Sequence, residues 1–283
     1  MEPLKPRDAS LASRVAVGIL FAPLVLWLFW TGGYALFAFL ALITFLAQGE
    51  LFSMPPEKPP LTHRIISHLA GIAVLADASF NSSGMTGGIA VAALIGFFLA
   101  EIVSTAEGSR LGRVLYPLFV SFYPAAFLAY LPKIARFPFP LFGADNRMLL
   151  LLLVAAVWTF DTVSYFAGSR WGRRRFFPSI SPRKTCEGFI GGVLGTLALG
   201  AAAGALPGFS FPHAVTVPLL AGLAGQAGDL SESIIKRDLD IKDSSRILLG
   251  HGGLLDRFDS LFFAAPAAYA YLYIHSAIRG GYG

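Results

Sequence analysis

The chain has 283 residues, 55% of them hydrophobic and 14% charged, with a mean hydropathy of +0.64. A soluble domain carries about 25% charged residues, so composition excludes an ordinary soluble globule and points to a polytopic membrane protein. The net charge of +5 reads as membrane orientation and lipid contact rather than nucleic-acid binding, and the single cysteine, Cys186, excludes a disulfide framework or a cysteine-based zinc site.

In chain order, nine apolar segments approach the roughly 17–25 residues a spanning helix needs. They are Val15–Trp30, Tyr34–Gln48, Ile65–Phe80, Gly88–Val103, Leu111–Leu131, Met148–Phe166, Phe189–Ala205, Ala214–Leu230 and Phe258–Ile278. The first follows Arg14 without a small-residue cleavage motif and is expected to be a retained span. The proline-rich Met54–Pro60 and the Leu206-Pro207-Gly208 break separate neighbours. The expected fold is all-α, with about nine transmembrane helices. Residues 1–147 form an N-terminal transmembrane region and residues 148–283 a C-terminal region carrying the chemistry.

With a cytoplasmic N-terminus and nine spans, 18 of the 22 Lys and Arg residues fall on the cytoplasmic side. The positive-inside rule therefore favours that orientation. It also puts the two most charged loops, Ala167–Gly188 and Ser231–Arg257, on one face.

The Gly228–Asp259 stretch holds seven of the 17 acidic residues. Asp229, Glu232, Ser233 and Lys236 share one helix face by their spacing. Asp256 and Asp259 form a second pair, three apart, at the start of the last span. One carboxylate at a membrane boundary is ordinarily an interfacial ion pair; four at two adjoining helix ends suit a hard cation. Gly252 and Gly253 precede the last span and allow close backbone approach to an anion; His251 beside them reads first as a loop residue. Ser181 followed by Pro182 reads as a helix start, putting Arg183 and Lys184 in a first turn where cations oppose the helix dipole unless an anion binds. Arg173, Arg174 and Arg175 read as topogenic charge. Asp161 lies late in the sixth segment and needs a polar surrounding. Glu50 and Glu101 read as interfacial, with the lining of a cavity as the weaker alternative.

The run from Ser233 to Asp259, with SPRKTCEGFIGG (Ser181–Gly192) and DTVSYFAGSRWG (Asp161–Gly172), resembles the phosphatidate cytidylyltransferase family. Leu249 departs from that pattern, which usually has Pro or Gly there. The resemblance is strong in the C-terminal half; the first five segments match only as apolar helices. It implies that CTP and phosphatidic acid give CDP-diacylglycerol and pyrophosphate in phospholipid biosynthesis. The implied cofactor is Mg²⁺, alone or with a second, monovalent cation. The implied setting is a homodimer in membrane lipid, in a bacterial inner membrane, with no nucleic acid and a cytoplasmic site. On this reading Asp229 and Asp256 are metal ligands and Asp259 lies beside them. Lys236, Arg237 and Lys242 hold phosphates, and Ser181, Arg183, Lys184 and Thr185 form an opposing wall. Asp161, Glu187, His251, Gly252 and Gly253 complete the substrate site. Two alternatives stay open: a related CTP-dependent lipid kinase or a cytidylyltransferase for another lipid, and an ion-coupled transporter. A transporter site belongs near the bilayer midplane, whereas these charges cluster at one face.

Overall fold

Helices cover nearly all of the nine apolar segments, the third continuing past Ala76 as a π-helical turn (Asp77–Asn81) and the fifth in two pieces, in the computed structural model, which describes residues 11–81, 84–105, 108–138, 145–241, 245 and 253–278. The N-terminal half holds α1 (Leu11–Thr31), α2 (Gly33–Ser53), α3 (Leu61–Ala76), α4 (Thr86–Ile102), α5 (Arg110–Leu128) and the short α6 (Tyr130–Ala135). The C-terminal half holds α7 (Asn146–Trp171), a hairpin of β1 (Arg175–Phe177) and β2 (Ser181–Thr185), then α8 (Cys186–Gly204), α9 (Phe211–Asp238) and α10 (Leu255–Ile278). Among the described residues, five segments are long and apolar enough to cross a membrane: α2, α5 with α6, α7, α8 and α10.

Two elements differ from the sequence expectation. The fifth segment breaks at Ala129 into α5 and α6. The Ser181–Thr185 run is a strand, not a helix start: β2 pairs antiparallel with β1, Phe177 opposite Ser181 and Arg175 opposite Thr185. The helix begins at Cys186, capped by Thr185, whose hydroxyl accepts the Gly188 N–H at 3.1 Å. Arg183 and Lys184 therefore precede the helix and do not oppose its dipole. Ser181-Pro182 is a local signal, and the cross-strand ladder outcompetes it.

One apolar cluster runs through α1, α2, α5, α7 and α10, with Phe29, Leu40, Leu153 and Phe262 fully buried. Buried polar groups lock the N-terminal helices to one another. The Gln48 amide on α2 donates to the backbone carbonyls of Ser67 on α3 and Ser121 on α5, both at 3.2 Å. In an apolar surrounding such bonds fix helix register as well as attraction. Glu101 and Glu50, read as interfacial, are buried and engaged. Glu101 takes two bonds from Arg113, at 3.0 and 2.9 Å, with His63 at 3.3 Å.

In the C-terminal half α8 and α10 both pack on α9, and α7 lies against α8 and α9. Glycines set the spacing. A Cβ at Gly192 would collide with the Ser164 hydroxyl, bringing α8 close to α7. A Cβ at Gly228 would collide with the Asp259 carbonyl oxygen, so α9 and α10 touch backbone to backbone where the acidic residues begin.

Candidate active site

The charged residues gather in two adjoining groups at one end of α7, α9 and α10. The first lines a cleft of about 660 Å³ between α7, the β1–β2 hairpin, the start of α8 and α9. Lys184 is its centre. Its Nζ lies 2.7 Å from Asp229 Oδ2 and donates to Gln226 Oε1 at 2.9 Å. Gln226 in turn donates to Asp161 Oδ1 at 3.1 Å. The chain Asp161–Gln226–Lys184–Asp229 thus ties α7, β2 and α9 together through side chains, a lysine held between acceptors with its charge aimed at the cleft. Arg183 and Thr185 also line the cleft, as do Arg173 and Arg175 but not Arg174. Phe176 and Tyr165 supply aromatic surface beside these cations.

The second group lies where α9 meets the start of α10. Lys236 Nζ is 2.6 Å from Asp256 Oδ1 and 3.2 Å from Glu232 Oε1, one turn back on α9. Asp256 Oδ2 accepts the Gly253 N–H at 2.8 Å, and Asp259 accepts the Ser260 N–H at 2.5 Å. Glu232 is fully buried, facing Lys236 and flanked by Asp256 and Asp259. Lys236 is half-buried among these three acids.

The two groups are contiguous because Gly228 packs on the Asp259 backbone and Asp229 follows it directly. Each predicted metal ligand is engaged by a different cation: Asp229 by Lys184, Asp256 by Lys236. Among the described residues no three His, Cys, Asp or Glu side chains converge as a ready-made cage. The donor set nonetheless fits a hard divalent ion. It is all carboxylate oxygen, with Glu232 buried between Asp256 and Asp259, and Mg²⁺ usually takes only one or two carboxylates plus water and substrate phosphate.

Other expected site residues fall outside these groups. Arg237 donates from Nε to the Ile180 carbonyl at 3.4 Å, fastening the end of α9 to the hairpin. Glu187 accepts the backbone N–H groups of Arg173 at 3.0 Å and Arg174 at 3.2 Å, so it shapes the loop that presents the arginines. Ser181 begins β2 and does not line the cleft. Lys242, His251 and Gly252 lie outside the described residues.

Two residues matter more than their sequence context suggested. Glu232 was visible as one of the acids on the α9 face, and it sits at the centre of the second group. Glu50 was read only as an interfacial residue, and its link to α10 was not visible. Its carboxylate, at the end of α2, accepts the N–H groups of Leu254 at 2.7 Å and Leu255 at 2.8 Å and the Ser245 hydroxyl at 2.6 Å. With Asp256 on Gly253, protein carboxylates thus satisfy the amides at the start of α10, the place where a bound anion was expected.

Comparison with known proteins bears on this arrangement. The model of the cytidylyltransferase family matches residues 12–275. A phosphatidate cytidylyltransferase of Staphylococcus haemolyticus is 33% identical over 253 residues, 88% of this chain and 92% of that protein. Those of Aquifex aeolicus and Bacillus subtilis are 40% and 43% identical over 156 and 122 residues. These two matches take in 53% and 42% of this chain and about half of each relative's own length, 54% and 45%. A match running from the first helix to the last, over residues 12–275, is not that of a shared motif alone: the chain belongs to the cytidylyltransferase family.

Proposed function

We propose that this protein transfers the cytidylyl group of CTP to phosphatidic acid, giving CDP-diacylglycerol and pyrophosphate. The observation that carries this reading is the junction of a cationic, aromatic-edged cleft with a carboxylate–lysine cluster at the ends of apolar helices. A polyanionic nucleotide suits the first, and a phosphate on a lipid suits the membrane setting. The names of the relatives agree with it.

The reaction requires a phosphate oxygen of the lipid to form a bond to the α-phosphorus of CTP. The bond from that phosphorus to the bridging oxygen breaks, and pyrophosphate leaves with the electron pair. A phosphate monoester has a second pKa of about 6, so near neutral pH the nucleophile is already ionised and needs no dedicated base. The protein's work is to hold two anions together and neutralise the leaving group. Arg173, Arg175, Arg183 and Lys184 bind the triphosphate, and the Phe176 and Tyr165 rings offer surface for the base. Asp229 and Gln226 hold Lys184 in place; Asp256 and Glu232 hold Lys236 toward the lipid phosphate. Asp229 and Asp256 would hold Mg²⁺, with or without a monovalent partner ion, which when bound supplies positive charge to the phosphate oxygens.

Finer features of the proposal rest on the charge distribution and on what the family resemblance implies. All nine apolar segments span the membrane, the N-terminus and cleft face the cytoplasm, and the membrane is a bacterial inner membrane. Two copies associate. Residues 1–147 serve as scaffold, and residues 148–283 carry the reaction. The test is pyrophosphate release by the purified protein. Release that needs both CTP and phosphatidic acid supports the proposal; none with both substrates and Mg²⁺ supplied would refute it.

A further inference from the structure

A second pocket, of about 310 Å³, opens between the start of α2, the π-helical turn after α3 and the end of α6. It lies at the other end of α2 from Glu50, about 25 Å away by the rise of a helix from Gly33, and so at the far end of the bundle from the reaction site. Three kinds of hydrogen-bond donor meet there. The first is the α2 N-terminus. Gly32 is its N-cap, at φ 64°, and no side chain caps the first amides; Gly33 and Tyr34 of that turn line the pocket. The second is Arg136, just beyond α6, whose Nη1 donates to the Ser79 carbonyl at 2.6 Å. The third is Ser79 itself, 9% exposed, with a buried hydroxyl that has no hydrogen-bond partner among the described residues. Among the described residues no acid lines this pocket. Arg113, Arg147, Lys184 and Lys236 each face a carboxylate; Arg136 is fixed by a backbone carbonyl instead.

A helix start, a guanidinium and a hydroxyl converging without an acid are the donor set for a phosphate. A buried hydroxyl without a partner is costly, and an anion beside it removes that cost once the side chain turns about its one rotatable bond. The surroundings point to a phosphate carried on a lipid. Tyr34 is 81% exposed, and its ring lies 4.9 Å from that of Phe80, centroid to centroid. Aromatic rings at the end of apolar helices mark the membrane–water interface, and they offer the glycerol and first methylenes of a lipid a surface that a free phosphate would not use. We infer that this pocket holds the phosphodiester headgroup of an anionic phospholipid. Arg136 and the α2 amides bind the phosphate oxygens, the Ser79 hydroxyl donates to them, and the Tyr34 and Phe80 rings flank the glycerol. Neither CTP nor the lipid phosphate at Lys236 enters this inference, so it stands apart from the proposed reaction.

The test is equilibrium binding of fluorescent phosphatidylglycerol, a phosphodiester, to the purified full chain in neutral detergent, with no nucleotide present. Saturable binding is expected, with phosphatidylcholine at least about fivefold weaker, as one unmatched charge at the interface implies. Arg136→Gln should weaken phosphatidylglycerol about tenfold or more. Ser79→Ala should weaken it about fivefold without lowering the thermal midpoint of the lipid-free protein, because it deletes a hydroxyl that has no protein partner; a purely structural serine would show the reverse. Lys133→Gln, on α6 with its Nζ over the Tyr130 ring at 5.1 Å and outside the pocket, should stay within about twofold of wild type. Equal losses in Arg136→Gln and Lys133→Gln would reduce the effect to diffuse surface charge and overturn the site. So would unchanged affinity in both Arg136→Gln and Ser79→Ala, or equal affinity for phosphatidylcholine. Millimolar inorganic phosphate should displace little of the bound lipid; complete displacement would assign the pocket to a free anion and overturn the lipid.

Discussion

Lys184 and Lys236 each sit between acceptors from different segments, and those pairings decide which residues can be touched without loss. Asp229→Asn removes the charge facing Lys184 at 2.7 Å, and Asp256→Asn the charge facing Lys236 at 2.6 Å. Each is expected to lower turnover at least about 100-fold, with insertion and the size-exclusion profile unchanged; near-normal turnover in either would remove that residue from the site and the shared-metal assignment with it. Arg174 and Arg183 give the contrast. Arg183 lines the cleft and Arg174 does not, so Arg183→Ala should raise KM for CTP about tenfold or more while Arg174→Ala stays within about threefold, read from initial rates at varied CTP. The crowding of seven of the 17 acids into one stretch of an apolar chain was legible in the sequence. Their partners were not. Lys184 reaches Gln226 across 42 residues, and no local period encodes a contact of that kind.

At the scale of elements, apolar runs located the helices well, since helix formation inside a membrane follows from composition. The hairpin escaped. Ser-Pro is a fair helix-start signal, but β1 supplies a ladder partner that the local sequence does not announce. The break at Ala129 escaped for a similar reason: α5 already carries Pro117 and Pro124 without ending, so proline alone did not mark it. Two contacts between elements make predictions. Glu50 on α2 satisfies two amides at the start of α10, the helix that presents Asp256. Glu50→Ala leaves those donors without it and is expected to cost about 1–3 kcal/mol, seen as a lower thermal midpoint in detergent, with Glu50→Gln losing less. Gly228→Ala places a Cβ against the Asp259 carbonyl. It should cost about 1–3 kcal/mol by overpacking and lower turnover as well, because it moves α9 off α10 at the acids. Unchanged stability and rate would mean the two helices do not touch there.

For the whole molecule, the proposed division of labour follows from where charge can be stabilised. The N-terminal helices bury a few polar groups in fixed pairs, such as Glu101 with Arg113 and Gln48 with backbone carbonyls, and these hold the bundle. The C-terminal helices collect cations and acids at one end, where the proposed nucleotide and lipid phosphate would meet. The proposed orientation is testable through the single cysteine: in a Cys186→Ser background, a cysteine placed at Arg174 should react only with reagent supplied from the cytoplasmic side. The reaction itself is tested most directly by the fate of labelled CTP incubated with the purified protein, Mg²⁺ and phosphatidic acid. Label from the α-phosphate should enter the lipid, and label from the γ-phosphate should leave as pyrophosphate. Transfer of the γ-label to lipid, with none from the α-position, would contradict cytidylyl transfer and make the protein a lipid kinase.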